Sequence, residues 1–276
     1  MIFEAHAWRW KLRAVDTVRL GHAGNTLRGA LGYALAHMPE YARFFRPEAV
    51  PGTGPSGLAD PPRPFVLRAM HLDNLDMQPG QTFEFDIHSF ETRIDRFALI
   101  REALASAAAS GLGLGRGRAE LLSTGSHTIR IPLLTTAPAG WLQVHYLTPT
   151  ELKGGPVTNF ATLIGRARDR VATLTNLYGT KPFDIDFRRI TDRASTVRTI
   201  RADLSAPVAV KRRSTRTGQT HPLGGVTGIV EFQGELAEFV PWLEAAQWTG
   251  VGRQTVWGKG AIRVVTSAAA PQPSRI

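Results

Sequence analysis

Between Trp248 and Arg263 the chain places Gly250, Gly252, Gly258 and Gly260 among Arg253, Lys259 and Arg263, with Trp257 in their midst. Glycine permits positive φ and close approach to the backbone, and successive amides in such a turn can cradle an anion. With these cations alongside, the ligand that suits the stretch is a phosphate chain. Two nucleotide motifs are excluded by spacing and context. A P-loop requires Gly, four residues, then Gly-Lys-Ser/Thr. Here five residues separate Gly252 from Gly258, and Gly260 stands in the hydroxyl's place. A dinucleotide fingerprint follows a strand and opens a helix. This stretch follows an apolar helical pattern (Phe239, Val240, Leu243, Ala246) and enters a strand.

Proton transfer near neutral pH falls most readily to histidine. The chain has eight: His6, His22, His37, His71, His88, His127, His145 and His221. A metal site is disfavoured, because there is no cysteine, no His-Glu-x-x-His pattern and no tight acidic cluster. Asp184 and Asp186 on a strand would share a face with little else. The expected metal and cofactor content is none.

Formal net charge is +10 at pH 7, which points to polyanionic partners. The excess is clustered. Residues 188–216 hold nine cations (Arg188, Arg189, Arg193, Arg198, Arg201, Lys211, Arg212, Arg213, Arg216) against Asp192 and Asp203, a surplus of +7. Phosphate contacts from such a segment would dominate affinity and make it salt-sensitive; a charge run can equally serve to keep a strand face wet. At 276 residues, 43% hydrophobic and 20% charged, the chain reads as one large or two medium globular domains. It shows no run of 18 apolar residues and no signal-peptide pattern, and zero cysteines suit the cytosol. No membrane partner is expected.

These groups need elements to position them. Residues 2–14 read as a strand, followed by a helix through Leu27, Leu31 and Leu35 to His37, capped by Asn25 and closed by Pro39. Gly29 and Gly32 each cost about 1 kcal/mol relative to alanine inside a helix, so they imply a face that backbone or ligand approaches closely. Residues 46–64, rich in proline and glycine, form a loop. Phe65–Met70 and the strictly alternating Thr82–His88 are strands. A helix through Ile94, Phe97, Ile100, Leu104 and Ala107 ends in Gly111, Gly113, Gly115 and Gly117 before strand Ala119–Leu122. The second half repeats this order. Strand Trp141–Leu147 precedes a helix through Phe160, Leu163, Ile164, Ala167, Val171, Leu174 and Tyr178, with Arg166, Arg168 and Arg170 turned away from that stripe. The basic segment supplies strands including Pro207–Lys211. Gly225–Phe232 is another strand, and the last helix leads into the glycine-rich turn. Two βαββαβ units define an α+β chain of tandem ferredoxin-like domains, at 1–137 and 138–266, with a disordered tail over 267–276.

Three features together resemble one family. They are Leu27-Arg28-Gly29-Ala30-Leu31-Gly32 with Phe44-Phe45-Arg46-Pro47 and Pro62-Arg63-Pro64-Phe65, then Arg212-Arg213-Ser214-Thr215-Arg216-Thr217-Gly218-Gln219 running to Gly228, and the glycine-rich stretch itself. The set resembles the CRISPR precursor-RNA-processing endoribonucleases of the repeat-associated mysterious protein superfamily, most strongly over residues 205–265. The resemblance implies two ferredoxin-like folds and binding of the CRISPR repeat. It also implies one metal-independent cut, in which the upstream 2′-hydroxyl attacks the scissile phosphate to leave a 2′,3′-cyclic phosphate and a 5′-hydroxyl. The protein would then stay on the mature guide RNA, with other CRISPR effector subunits as further partners. Relatives often carry a cysteine cluster after the first helix, where this chain has Met38-Pro39-Glu40-Tyr41.

Such chemistry needs a base near the nucleophile, an acid near the 5′-oxygen and cations around the phosphorane. The family often places its catalytic histidine where His37 ends the first helix, beside Tyr33 and Tyr41. His22 is the second candidate and Arg28 a transition-state cation. RNA contacts fall to Lys211, Arg212, Arg213 and Arg216, and to Gly250, Gly252, Arg253, Gly258 and Lys259, with Arg116 and Arg118 a weaker second site. Trp248 and Trp257 suit either base stacking or core packing. Two other readings remain: a non-cleaving member of the superfamily that coats the guide RNA, and an unrelated sequence-tolerant RNA-binding module.

Overall fold

The structure is a computed structural model that describes residues 1–48, 61–134, 137–181, 183, 187–205, 211–213, 220–222 and 224–269. The first domain runs β1 (Ile2–Ala14), α1 (Ala23–Leu35), α2 (Glu40–Phe45), β2 (Phe65–Arg68), β3 (Thr82–Ser89), α3 (Phe97–Ser110) and β4 (Ala119–Pro132). Its antiparallel sheet has the order β2-β3-β1-β4. The second runs β5 (Trp141–Thr150), α4 (Phe160–Tyr178), α5 (Phe187–Ala194), β6 (Arg198–Ser205), β7 (Val226–Gln233), α6 (Val240–Thr249) and β8 (Ile262–Ser267), with sheet order β8-β5-β7-β6. Both sheets put the first strand of each βαββαβ unit between its third and fourth strands, so the chain is a tandem of ferredoxin-like folds. The expected boundary falls between Pro132 and Trp141.

Alternation along β1 decides how the layers stack. Trp8, Trp10, Leu12 and Ala14 point to α1 and α3, joined by Phe83, Phe85 and Ile87 from β3. On the opposite face Phe3 and Ala5, with Val66 and Phe90, enter the core built around α4 and α6 of the second domain. Those two helices are buried far beyond one stripe: Thr173 and Thr175 on α4 and Pro241, Trp242 and Ala245 on α6 are enclosed as well. A helix covered on both sides belongs between two layers. The order is therefore helices, sheet, helices, sheet.

Several expectations are corrected. Helix α1 begins at Ala23, ahead of Asn25, because Asp73 from the turn before β3 accepts the Ala23 amide at 2.8 Å and supplies the negative charge that a helix start favours. It ends at Leu35, so His37 lies in the turn to α2. Residues 187–194 form a helix, and the basic segment becomes strand only from Arg198. Strand β8 extends through Ser267, which pairs with Trp141, so the first residue of the stretch expected as a disordered tail is strand. Arg168 is buried with its guanidinium on Asp169 and Thr191, and Arg170 reaches the end of α6. Both arginines face protein because α4 has neighbours on two sides. Of the expected strand Pro207–Lys211, only Lys211 falls among the described residues, and Asp184 and Asp186 lie outside them.

Candidate RNA-processing site

The glycine-rich stretch leaves α6 at a fixed point. The last carbonyls of that helix accept from three donors drawn from both domains. Arg68 donates to Gln247 and Trp248 at 2.9 and 3.1 Å, His88 Nδ1 lies 2.9 Å from the Trp248 oxygen, and Arg170 Nε donates to Thr249 at 3.0 Å. Donors and positive charge belong at a helix C-terminus. Burial pulls Arg68 down to about 10 and Arg170 to about 9, leaving both cationic at neutral pH. His88 is pushed down to about 3, first by burial and then by Arg68, so its imidazole is neutral.

The loop itself is folded around protein, which corrects the anion cradle. The amides of Val251, Arg253, Trp257, Gly258 and Gly260 donate to Gly260, Glu151, Gln254, Thr255 and Pro149 respectively, and Ala261 donates to the Thr148 hydroxyl. A Cβ on Gly252 would strike the Glu151 carbonyl, and one on Gly260 the Val251 carbonyl. The glycines permit close packing of the loop on itself and on the end of β5. Lys259 is 3% exposed, and its ammonium donates to the Gly224 carbonyl at 2.6 Å and to Gln254 Oε1 at 3.0 Å. Burial lowers its pKa, with Glu151 opposing the shift. Arg253 is exposed and paired with Glu151 at 3.0 Å. Trp257 and Trp248 are both half-buried, and Trp248 sits between the rings of His88 and His127 at 4.9 and 6.2 Å.

This loop docks on α1. A Cβ on Gly24 would stand 2.5 Å from the Trp257 carbonyl, so only glycine lets the helix start lie against the loop. The candidate catalytic residues ride on that helix. His22 precedes its first turn, with Nδ1 3.6 Å from Asp73 Oδ2. Arg28 lies midway, its guanidinium 5.2 Å above the Phe45 ring. His37 is exposed just past the far end, with Tyr33 also exposed one turn earlier. Thirteen residues of helix span roughly 20 Å, so His22 and His37 cannot serve one scissile phosphate together. Asp73 had no local signal in the sequence, since it lies 50 residues from the amide that it caps.

The other RNA candidates separate. Lys211–Arg213 form a strand paired with Thr220–Pro222, and Arg216 lies outside the described residues. Within the basic cluster, Arg193 pairs with Glu238 and Arg201 lies 3.6 Å from Glu231. Arg118 pairs with Asp16 at 2.7 Å. Among the described residues no cluster of His, Cys, Asp and Glu is placed to hold a metal ion, and no helix is long and apolar enough to cross a membrane.

Residues 144–262 match the family model described as CRISPR-associated endoribonuclease Cas6, and residues 3–131 match one described as an N-terminal domain. No curated protein sequence matches the chain. Among solved structures, a Cas6 product complex is 16% identical, with a TM-score of 0.58 over 95% of this chain and 100% of that one. A Cas6 substrate mimic complex is 16% identical, with a TM-score of 0.55 over 95% and 100%. A partial Cas6-RT-Cas1–Cas2 complex is 12% identical, with a TM-score of 0.60 over 98% of this chain and 47% of that one. The matched segment includes the α6 end and the loop and ends on the first residue of β8; over it the chain is similar to the CRISPR-associated endoribonuclease Cas6 family, consistent with a CRISPR RNA-processing protein of the repeat-associated mysterious protein superfamily.

Proposed function

We propose that the chain binds the repeat of the CRISPR precursor transcript and cuts it once with protein side chains as acid and base and no metal in the reaction. The 2′-hydroxyl upstream of the cut loses its proton to a base as its oxygen bonds to phosphorus. The bond from phosphorus to the 5′-oxygen breaks, and that oxygen takes a proton from an acid. A 2′,3′-cyclic phosphate and a 5′-hydroxyl remain, and the protein stays on the guide RNA in the cytoplasm, where other effector subunits join it. One observation carries this reading: the glycine-rich loop of the Cas6-matched segment rests, through Gly24, on the helix that bears the catalytic candidates. The solved Cas6 complexes with product and substrate mimic support it.

His37 is assigned as the proton-transfer group and Arg28 as a cation toward the phosphorane. His37 is exposed in a turn between two helices, where a strand can reach it. A second reading has its own observation: His22 stands by Asp73, which can orient its imidazole as a base. Lys211, Arg212, Arg213, Arg216 and Arg253 are assigned to the RNA backbone. Gly250, Gly252, Gly258 and Lys259 shape the loop that presents Arg253.

The test is incubation with end-labelled repeat RNA in EDTA, beside an RNA carrying a 2′-deoxy sugar at the cut. Cleavage in EDTA that vanishes with the deoxy RNA is expected. His37→Ala is expected to slow it by about 10²–10⁴-fold, the usual worth of a positioned acid or base, while binding persists. Loss in His22→Ala with His37→Ala unaffected would transfer the role to His22. Binding without a cut in the parent protein would make the chain the non-cleaving subunit.

A further inference from the structure

Helix α2 has six residues, too short a helix to hold itself in water. Its position is set by what grips it. Phe44 and Phe45 pack on Phe65, with ring centroids 6.0 and 5.5 Å apart, and apolar contact of this kind has no direction of its own. Direction comes from the charged side chains of the helix, Glu40 and Arg43, and both reach one segment, residues 91–96, between β3 and α3. Arg43 Nε donates to Glu91 Oε2 at 2.6 Å, and its Nη2 donates to the same oxygen. Arg96 Nη1 donates to Glu40 Oε1 at 3.2 Å.

Segment 91–96 is in turn fastened to the second domain. The Thr92 amide donates to the Tyr178 carbonyl at 3.1 Å. Arg93 donates to the carbonyls of Gly179 and Asn176 at 2.8 and 3.1 Å, so a cation closes the C-terminus of α4. Glu91 is 1% exposed, and its Oε1 accepts from the Arg93 amide at 3.2 Å. A buried ion pair gives little net stability over apolar side chains of the same volume. What it supplies is geometry, since donors on a fixed carboxylate restrict the orientation of Arg43.

The turn that carries His37 spans residues 36–39, between α1 and α2. The Met38 amide donates to the Leu35 carbonyl at 2.8 Å, and the Tyr41 amide to the Met38 carbonyl at 3.0 Å. One end of the turn thus follows α1 and the other follows α2. We propose that Glu91 is a positioning residue for the cut: through Arg43 it orients α2, and with it the imidazole of His37, against the second domain. The inference rests on the assignment of His37 as the proton-transfer group and adds the group that aims it. Glu91 is enclosed, so it acts without touching the RNA.

The test is single-turnover cleavage of the repeat RNA at saturating protein, with affinity measured separately. The proteins are the parent, Glu91→Gln, the apolar pair Arg43→Met/Glu91→Leu, His37→Ala and His37→Ala/Glu91→Gln. Thermal melting fixes a temperature at which every variant is folded. Glu91→Gln keeps the shape and loses the charge, and the apolar pair restores packing without the directional bonds. Both are expected to cut about 10- to 100-fold more slowly, the scale of a misplacement of about 1 Å, at unchanged affinity. His37→Ala/Glu91→Gln is expected to cut no more slowly than His37→Ala, as groups that act as a unit do. A parental rate in the apolar pair would overturn the inference by showing that the bridge only holds the fold. So would losses that multiply in the double variant, since Glu91 would then act apart from His37. A parental rate in His37→Ala would sink the histidine assignment and the inference with it. A slow His37→Ala beside a parental Glu91→Gln would sink the inference alone.

Discussion

Replacing His88 by asparagine is expected to remove an acid-sensitive element from the contact between the two domains. The side chain is 7% exposed, with Nδ1 2.9 Å from the Trp248 carbonyl. Burial is the chief cause of its depressed pKa, Arg68 adds to it, the Trp248 carbonyl and Asp86 oppose it, and His127 adds a smaller push. The folded value is about 3 against 6.5 for a free imidazole. Between those limits the unfolded chain binds a proton that the folded chain refuses, so stability is full above pH 6.5 and falls as pH drops toward 3. At pH 5 the difference is about 1.5 pH units at 1.36 kcal/mol each, or roughly 2 kcal/mol; at pH 7.5 it is near zero. Asparagine can place an amide donor near the Nδ1 position and does not titrate. Urea unfolding of both proteins at pH 7.5 and pH 5.0 reads the effect, since the other titrating groups are common to both and cancel. The parent is expected to lose about 2 kcal/mol more than His88→Asn on acidification. Equal losses in the two proteins would refute the claim that His88 is held neutral at this contact.

Lys259→Met leaves the Gly224 carbonyl and Gln254 Oε1 without their donor, and a loss of about 1.5–3 kcal/mol is expected in denaturant unfolding. Gly24→Ala forces a Cβ against the Trp257 carbonyl; overpacking of this kind costs about 1–3 kcal/mol, and a lower melting temperature with weaker RNA cleavage is expected. Arg253→Ala removes an exposed ion pair with Glu151 and is expected to change stability by under about 1 kcal/mol. A clear fall in RNA affinity in that variant, read by filter binding, identifies Arg253 as a backbone contact.

The tandem fold was legible because both βαββαβ units announce themselves by local pattern. Thr82–His88 alternates strictly and became β3, and the leucines at Leu27, Leu31 and Leu35 became the buried stripe of α1. The layer between the domains was less visible, although Phe3 and Ala5 opposite Trp8 and Trp10 already make both faces of β1 apolar. The orientation of the basic side chains was not legible. Lys259 and Arg170 look like surface cations, yet each is aimed at a carbonyl that arrives from elsewhere in the chain, Gly224 for the one and Thr249 for the other. Periodicity within one helix or loop carries no information about such a partner. Asp73 was hidden for the same reason: its task at the start of α1 is set by a tertiary turn.

The stacking of helices, sheet, helices, sheet has a consequence for how this chain can be cut or copied. The roof of the second domain is also the floor of the first, since Phe3, Val66 and Phe90 share one core with Leu163, Phe232 and Leu243. Either half expressed alone would show water an apolar surface that the tandem conceals. The repeat of the fold is thus not a repeat of folding units, and the two halves are expected to melt together in a single calorimetric transition.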